Sequence, residues 1–331
     1  MSSLLQALAR ILRQPVVRAV LLLLTIGFIA VALSRQWENV AASWQSLDIA
    51  WSWVAMATTL VLGTYAILIH SWRILLSGWG GHLSYGSATR IWTIANLGRW
   101  LPGKVWSIGA LGYMASREGV SGVAAAGSSV LGTLLNLGAG LAIAVVLGAD
   151  GLEFIAPGFR VVSIVAAVGF VVGVAALPRL LPPLLGAFAQ RRGLPLTSQH
   201  LSASQLWLAT GLNLLSWVAY GVAFWMFSRA VTPRISGDPL VFIAVYSASY
   251  LAGFLALFAP GGLGVRELAL GGLLVGLGMA GQGDAAVLSA TSRIWLTVLE
   301  VLPGLLALFT LSPGQRAALR RSEDPPATPS R

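Results

Sequence analysis

Apolar residues run along this chain in long blocks, and polar residues are confined to the short gaps between them. Blocks at about 17–34, 50–72, 119–148, 161–178, 203–228 and 285–310 each approach or exceed the roughly 20 residues that span a bilayer as a helix. The run Gly119–Ala149 holds 31 residues and Leu201–Ser228 holds 28, and neither contains a charge. Two further apolar regions, about 86–116 and 239–282, are interrupted near their middles. The first carries Arg99, Pro102, Gly103 and Lys104, and the second carries Pro260, Gly261, Gly262, Gly264, Arg266 and Glu267. Proline removes a backbone donor and glycine lets the chain reverse. Open backbone survives at membrane depth only inside protein or beside a wet cavity. The pattern therefore predicts an all-α polytopic membrane protein with six full transmembrane helices and two broken or re-entrant helical hairpins. Charge alone does not separate a hairpin from two short tilted crossings.

The order of these elements repeats. Residues 50–148, with hairpin 86–116, form a first repeat, and residues 203–310, with hairpin 239–282, form a second. Trp100-Leu101-Pro102-Gly103 corresponds to Phe258-Ala259-Pro260-Gly261. Residues 1–34 supply an N-terminal segment and first helix, 161–200 a linking helix and cytoplasmic loop, and 313–331 a polar, Pro-rich tail expected to be disordered. Pro102, Gly103, Pro260, Gly261, Gly262 and Gly264 are the expected hairpin tips. Opposed repeats with interrupted helices meeting near mid-membrane are a common plan for secondary transporters.

Composition agrees with the membrane reading. Of 331 residues, 56% are hydrophobic and 10% charged, against about a quarter charged in soluble domains. Mean hydropathy is +0.80. With no cysteine, disulfides, thiolate metal sites and cysteine nucleophiles are excluded. The three histidines, His70, His82 and His200, are too scattered for a local metal cluster, and neither metal nor cofactor is expected. The net charge of +10 is dispersed in ones and twos, which excludes a nucleic-acid surface. The basic N-terminus resembles a signal peptide but lacks a convincing cleavage site, so a retained helix is expected.

Basic residues set the orientation. With both termini cytoplasmic and each hairpin returning to its own side, 13 basic residues fall inside and four outside. Acidic residues divide three inside and six outside. This frame places the chain in the cytoplasmic (inner) membrane and makes the two hairpins enter from opposite faces. Trp37, Trp44, Trp51 and Trp53 at one end of the second span, and Trp72 and Trp79 at the other, read as interfacial belts.

Candidate chemistry lies at the two breaks. Arg99, Lys104, Arg266 and Arg293 outnumber Glu267 and Glu300, and intramembrane charges usually mark function or a structural pair. A basic excess beside new helix N-termini suits a phosphate or phosphodiester. The four basic residues, Glu267, Asn96 and Tyr250 form the candidate substrate-binding set, which contains no catalytic residue. The structural alternative pairs Arg266 with Glu267, and Arg293 with Glu300, although the latter two are too far apart for an ideal direct contact.

The run Phe258-Ala259-Pro260-Gly261-Gly262-Leu263-Gly264-Val265-Arg266-Glu267, followed by Arg293, resembles the lysylphosphatidylglycerol synthase transmembrane-region family. Its members are related to the flippase portion of the multiple peptide resistance factor. Asn96-Leu97-Gly98-Arg99-Trp100-Leu101-Pro102-Gly103-Lys104-Val105-Trp106 resembles the matching motif of the first half, and the likeness covers roughly residues 17–312. The resemblance implies a membrane protein that moves a charged or glycosylated lipid between leaflets. Its 331 residues leave no room for the soluble aminoacyl-transferase domain of the full-length synthase, so this chain is not expected to make an aminoacyl lipid. Where relatives often carry a Glu-Arg pair, it has Gly132-Thr133-Leu134-Leu135-Asn136, which implies weaker binding or a structural role there.

The leading expectation is flipping of an anionic or glycosylated lipid with a phosphate-bearing head group. A non-catalytic membrane subunit of an envelope-lipid or lipid-linked-glycan pathway is a second reading, and an intramembrane lipid transferase a third. A separately encoded lipid-modifying enzyme is the partner this implies, and a homo-oligomer is compatible with it. No nucleotide-binding loop is present, so movement would run downhill, use an ion gradient, or depend on a partner.

Overall fold

In a computed structural model, residues 49–100, 106–149, 151, 153, 157–192, 201–235, 237–256 and 259–309 are described. The expected first span at 17–34, the tips Pro102 and Gly103, Lys104 and the tail 313–331 lie outside them. Helices α1 (Trp51–Ser77), α4 (Gly122–Leu147), α5 (Phe159–Arg192), α6 (Ala203–Val231) and α9 (Gln282–Phe309) each contain a stretch long and apolar enough to cross a membrane. They coincide with five of the expected spans. Polytopic membrane placement follows directly.

Both interrupted regions are broken helices. The first consists of α2 (Tyr85–Asn96), a 3-10 turn (Leu97–Trp100) and α3 (Trp106–Arg117). The second consists of α7 (Pro239–Leu255), a 3-10 turn (Pro260–Gly262) and α8 (Val265–Gly276). Local chemistry starts these helices where they start. Ser84 accepts from the Ser87 N–H ahead of α2, and Ser121 does the same for α4 from Ala124. Ser202 and Gln205 exchange bonds in a capping box ahead of α6. Asp238 accepts from Leu240 N–H while Pro239 opens α7, where a missing donor costs nothing.

Packing interlocks the halves. α1 lies along α6, and the first segment of each broken helix packs on the other half as well as on its own: α7 lies against both α4 and α6, and α2 against both α9 and α3. The latter contact is very close, since a Cβ on Gly304 of α9 would fall 2.7 Å from the Thr93 carbonyl of α2. The two 3-10 turns touch one another. Tyr246, Phe224 and Phe242, all almost fully buried, anchor the main core between α6 and α7.

Two expectations change. Trp72 and Trp79 are 5% exposed and belong to the core, where Trp72 Nε1 donates to Ser128 Oγ at 3.1 Å. An indole near a basic loop resembles a membrane anchor in sequence, but a facing hydroxyl on α4 gives it a buried partner. The stretch 179–200 was expected as a loop, yet α5 continues through Pro182 and Pro183 to Arg192. Prolines forfeit local backbone bonds, and the leucines and alanines around them carry the helix on.

Candidate functional site

The second break is built around glycine. Gly261 and Gly262 have φ of 59° and 73°, in the left-handed region where a Cβ is costly. Gly262 also lies against α7, where a Cβ would come within 2.8 Å of the Gly253 carbonyl oxygen. Helix α8 then begins at Gly264, whose N–H donates to Glu267 Oε2 at 2.6 Å. Glu267 is thus a helix cap first. Its other oxygen lies 3.1 Å from Arg293 Nε on α9, an ion-pair contact without hydrogen-bond alignment.

Arg293 is held from three sides. Its Nη2 donates to the Gly261 carbonyl at 2.8 Å, and its guanidinium stands 5.0 Å from the Trp100 ring centroid. Trp100 ends the first 3-10 turn, so one arginine clasps both breaks. Arg99, beside it, lies 3.0 Å from Glu300 of α9 and donates to the Tyr250 hydroxyl at 3.2 Å. The expected pairs are therefore replaced by crossed ones: Arg293 takes Glu267, and Arg99 takes Glu300. Arg266 and Glu267 are neighbours on a helix and diverge by about 100°, while Glu300 is turned towards the other half.

Arg266 is the exception. It is 5% exposed, and among the described residues no carboxylate makes ion-pair contact with it. Its guanidinium lies over two phenol rings instead, 5.1 Å from the Tyr246 centroid and 4.9 Å from that of Tyr250. Tyr246, Tyr250 and Gly253 sit at i, i+4 and i+7 on one face of α7, which places the two rings beneath the cation. Such stacking on a desolvated ring is worth about 2 kcal/mol, but π-clouds do not neutralise the charge.

These groups border a cavity of about 560 Å³. Arg99, Arg266, Arg293, Glu300, Asn96 and Tyr250 line it, as does Gly261. Five of the candidate substrate-binding residues and one expected tip, Gly261, are thereby gathered at one chamber, with Glu267 behind Arg293. Pro260, Gly262 and Gly264 shape the turn at its edge. Sequence reasoning missed Tyr246 and Trp100 and cast Glu300 only as a partner for Arg293. The spacing of Tyr246, Tyr250 and Gly253 was the available signal for the first.

A second, neutral polar group lines the same cavity. Asn136 Nδ2 donates to Asn213 Oδ1 at 2.9 Å, and Asn213 Nδ2 donates to Ala209 O at 2.8 Å and Ser71 Oγ at 3.0 Å. This chain ties α4, α6 and α1 together. Trp217 links it to the charged end, donating from Nε1 to Asn136 O at 2.8 Å while its ring meets Tyr250 edge-on at 5.2 Å. Among the described residues, no group of three His, Cys, Asp or Glu is placed to hold a metal ion.

A polytopic helical protein with a charged cavity where two broken helices meet is the class defined by these observations. The chain matches the family described as the lysylphosphatidylglycerol synthase TM region over residues 16–313, nearly its whole length, and belongs to it. A comparison with curated proteins gave no match.

Proposed function

We propose that this protein moves a lipid with an anionic, phosphate-bearing head group between the leaflets of the cytoplasmic membrane. The head group passes through the cavity while its tails stay in lipid, because only the head carries a large transfer penalty. The hairpins enter from opposite faces, both termini are cytoplasmic, and the chain acts as a transporter and not as an enzyme. The observation that carries this reading is Arg266, a buried guanidinium on the cavity wall with no carboxylate in ion-pair contact among the described residues. Arginine stays charged at any accessible pH. In a low-dielectric chamber an uncompensated cation attracts an anion far more strongly than at a surface. Arg99 and Arg293, held by Glu300 and Glu267, add donors in fixed positions around it.

Reconstitution tests this. The protein in vesicles of phosphatidylglycerol and phosphatidylcholine, with a tail-labelled phosphatidylglycerol, reports leaflet exchange. Arg266→Met should lose most exchange and only the stabilisation of the ring stacking, since no carboxylate in ion-pair contact is left stranded. Arg293→Met should lose exchange and stability together, because Glu267 and the Gly261 carbonyl are abandoned. Wild-type exchange by Arg266→Met would overturn the proposal.

A further inference from the structure

Resting on the reading that a lipid head group enters this cavity, we infer that its occupant is a phosphodiester bearing a neutral, hydroxyl-rich substituent, and that an ammonium-bearing head group is disfavoured. The charge balance is the first ground. Among the described residues the cluster holds three guanidiniums, Arg99, Arg266 and Arg293, against two carboxylates, Glu267 and Glu300. One positive charge is unmatched. A phosphodiester monoanion cancels it, whereas a head group that adds one or more ammonium groups to the same phosphate restores or enlarges the surplus.

The second ground is the far wall. Of the described residues lining the cavity, Glu300 is the one carboxylate, and it is engaged by Arg99. Apart from the charged cluster and its tyrosines, the lining is largely apolar, and its neutral polar groups include Asn96, three residues before Arg99, and Ser129, Thr133, Asn136 and Asn213. The orientation of this array is fixed from its base. The Ala209 carbonyl can only accept, so Asn213 turns its NH2 there and to Ser71, and its Oδ1 to Asn136. Asn136 must then offer NH2 to Asn213, which leaves its Oδ1 without a donor among the described residues. Thr133 Oγ1 spends its proton on the Ser129 carbonyl at 2.9 Å and likewise presents lone pairs. Asn96 makes no side-chain hydrogen bond to a described residue, so its amide offers both donors and an acceptor. Neutral acceptors with an amide donor nearby match hydroxyls, which both give and receive. An ammonium group in a low-dielectric site needs a carboxylate, and the neutral wall supplies none. The stretch from Gly132 to Asn136, expected to be weak or merely structural, becomes the selective side of the chamber.

Competition binding by native mass spectrometry, with the full chain in detergent, tests the inference using phosphatidylglycerol, its lysyl ester and phosphatidylmethanol. All three share the phosphodiester. Phosphatidylglycerol should exceed each of the others by about tenfold, the effect of one or two satisfied buried hydrogen bonds. Asn96→Leu, which strands no described partner, and Asn136→Leu should each shrink its advantage over phosphatidylmethanol. Asn136→Asp should raise binding of the lysyl ester. Equal binding of lysyl ester and phosphatidylglycerol by the unaltered protein would overturn the inference, as would an unchanged preference in both leucine variants. Leaflet exchange of the same lipids keeps the two proposals apart. Preference in binding without exchange upholds this inference and overturns transport, and equal exchange of all three does the reverse.

Discussion

The Arg99 guanidinium stands 3.0 Å from the Glu300 carboxylate, and through that contact the first broken helix is bound to the last span. The Glu300 side chain is 9% exposed and that of Arg99 29%. Removing one member of a buried pair leaves the other desolvated and uncompensated. Glu300→Gln should therefore lower stability by about 2 kcal/mol, a figure reduced for the partial exposure of Arg99. The double variant Arg99→Met, Glu300→Gln should recover most of the loss. Denaturant titrations of the four proteins in one detergent give the coupling, and strict additivity would dismiss the pair.

Gly262 combines a positive φ with backbone of Gly253 where its Cβ would go. Neither problem is relieved by moving a side chain. Gly262→Ala is expected to cost about 3 kcal/mol. In α6, Gly211 has open space around its Cβ direction, so Gly211→Ala should change stability by under about 1 kcal/mol. Thermal unfolding of both variants checks the contrast.

The proposed opposition of the repeats has a direct measurement, because the chain has no cysteine of its own. Ser116, at the end of α3, and Arg234, after α6, are both exposed. In oriented membranes, Ser116→Cys should react with an impermeant maleimide from the cytoplasmic side and Arg234→Cys from the outer side. Labelling of both from one side would refute the inverted repeat.

Glu153, between α4 and α5, accepts from the Arg160 N–H at 2.8 Å and from the Gly158 N–H at 3.0 Å. Those backbone donors hold its carboxyl below the ordinary value of 4.5. A carboxylate with a folded pKa below its unfolded one binds protons less readily when folded. Its contribution to loop order is present above pH 4.5 and fades as pH falls through the lower folded value. Amide protection at Gly158 and Arg160 should weaken in that acid window, and Glu153→Gln should show the weakening already at neutral pH.

The long spans and both breaks were legible because each rests on local chemistry. An uncharged run such as Leu201–Ser228 has few alternatives to a helix in lipid, and Pro260-Gly261-Gly262 has few alternatives to a break. The gathering of Arg99, Arg266 and Arg293 was foreseeable as a set of charges costly to scatter through a membrane. Their partners were not. Which carboxylate meets Arg293 depends on where α8 and α9 cross, and that is set by contacts such as Gly253 on Arg266 and Gly304 on Thr93. Trp72 and Trp79 failed for the same reason: indoles look alike in sequence whether they face lipid or Ser128. The Asn136–Asn213 contact joins residues 77 apart, with no local pattern to announce it.

The packing of α2 and α7 across the two halves also fixes an order of events at the ribosome. Arg99 is made 151 residues before the Tyr250 that receives its hydrogen bond, and Glu300 comes later still. At about 5–20 residues per second, Arg99 waits about 8–30 s for Tyr250 and longer for Glu300. Throughout that interval the arginine lacks Glu300, the carboxylate it finally pairs with. Water and the phosphates of bilayer lipids are the counter-charges at hand. The contact that ties the first break to the last span, Arg99 to Glu300, therefore closes only once that span has been made.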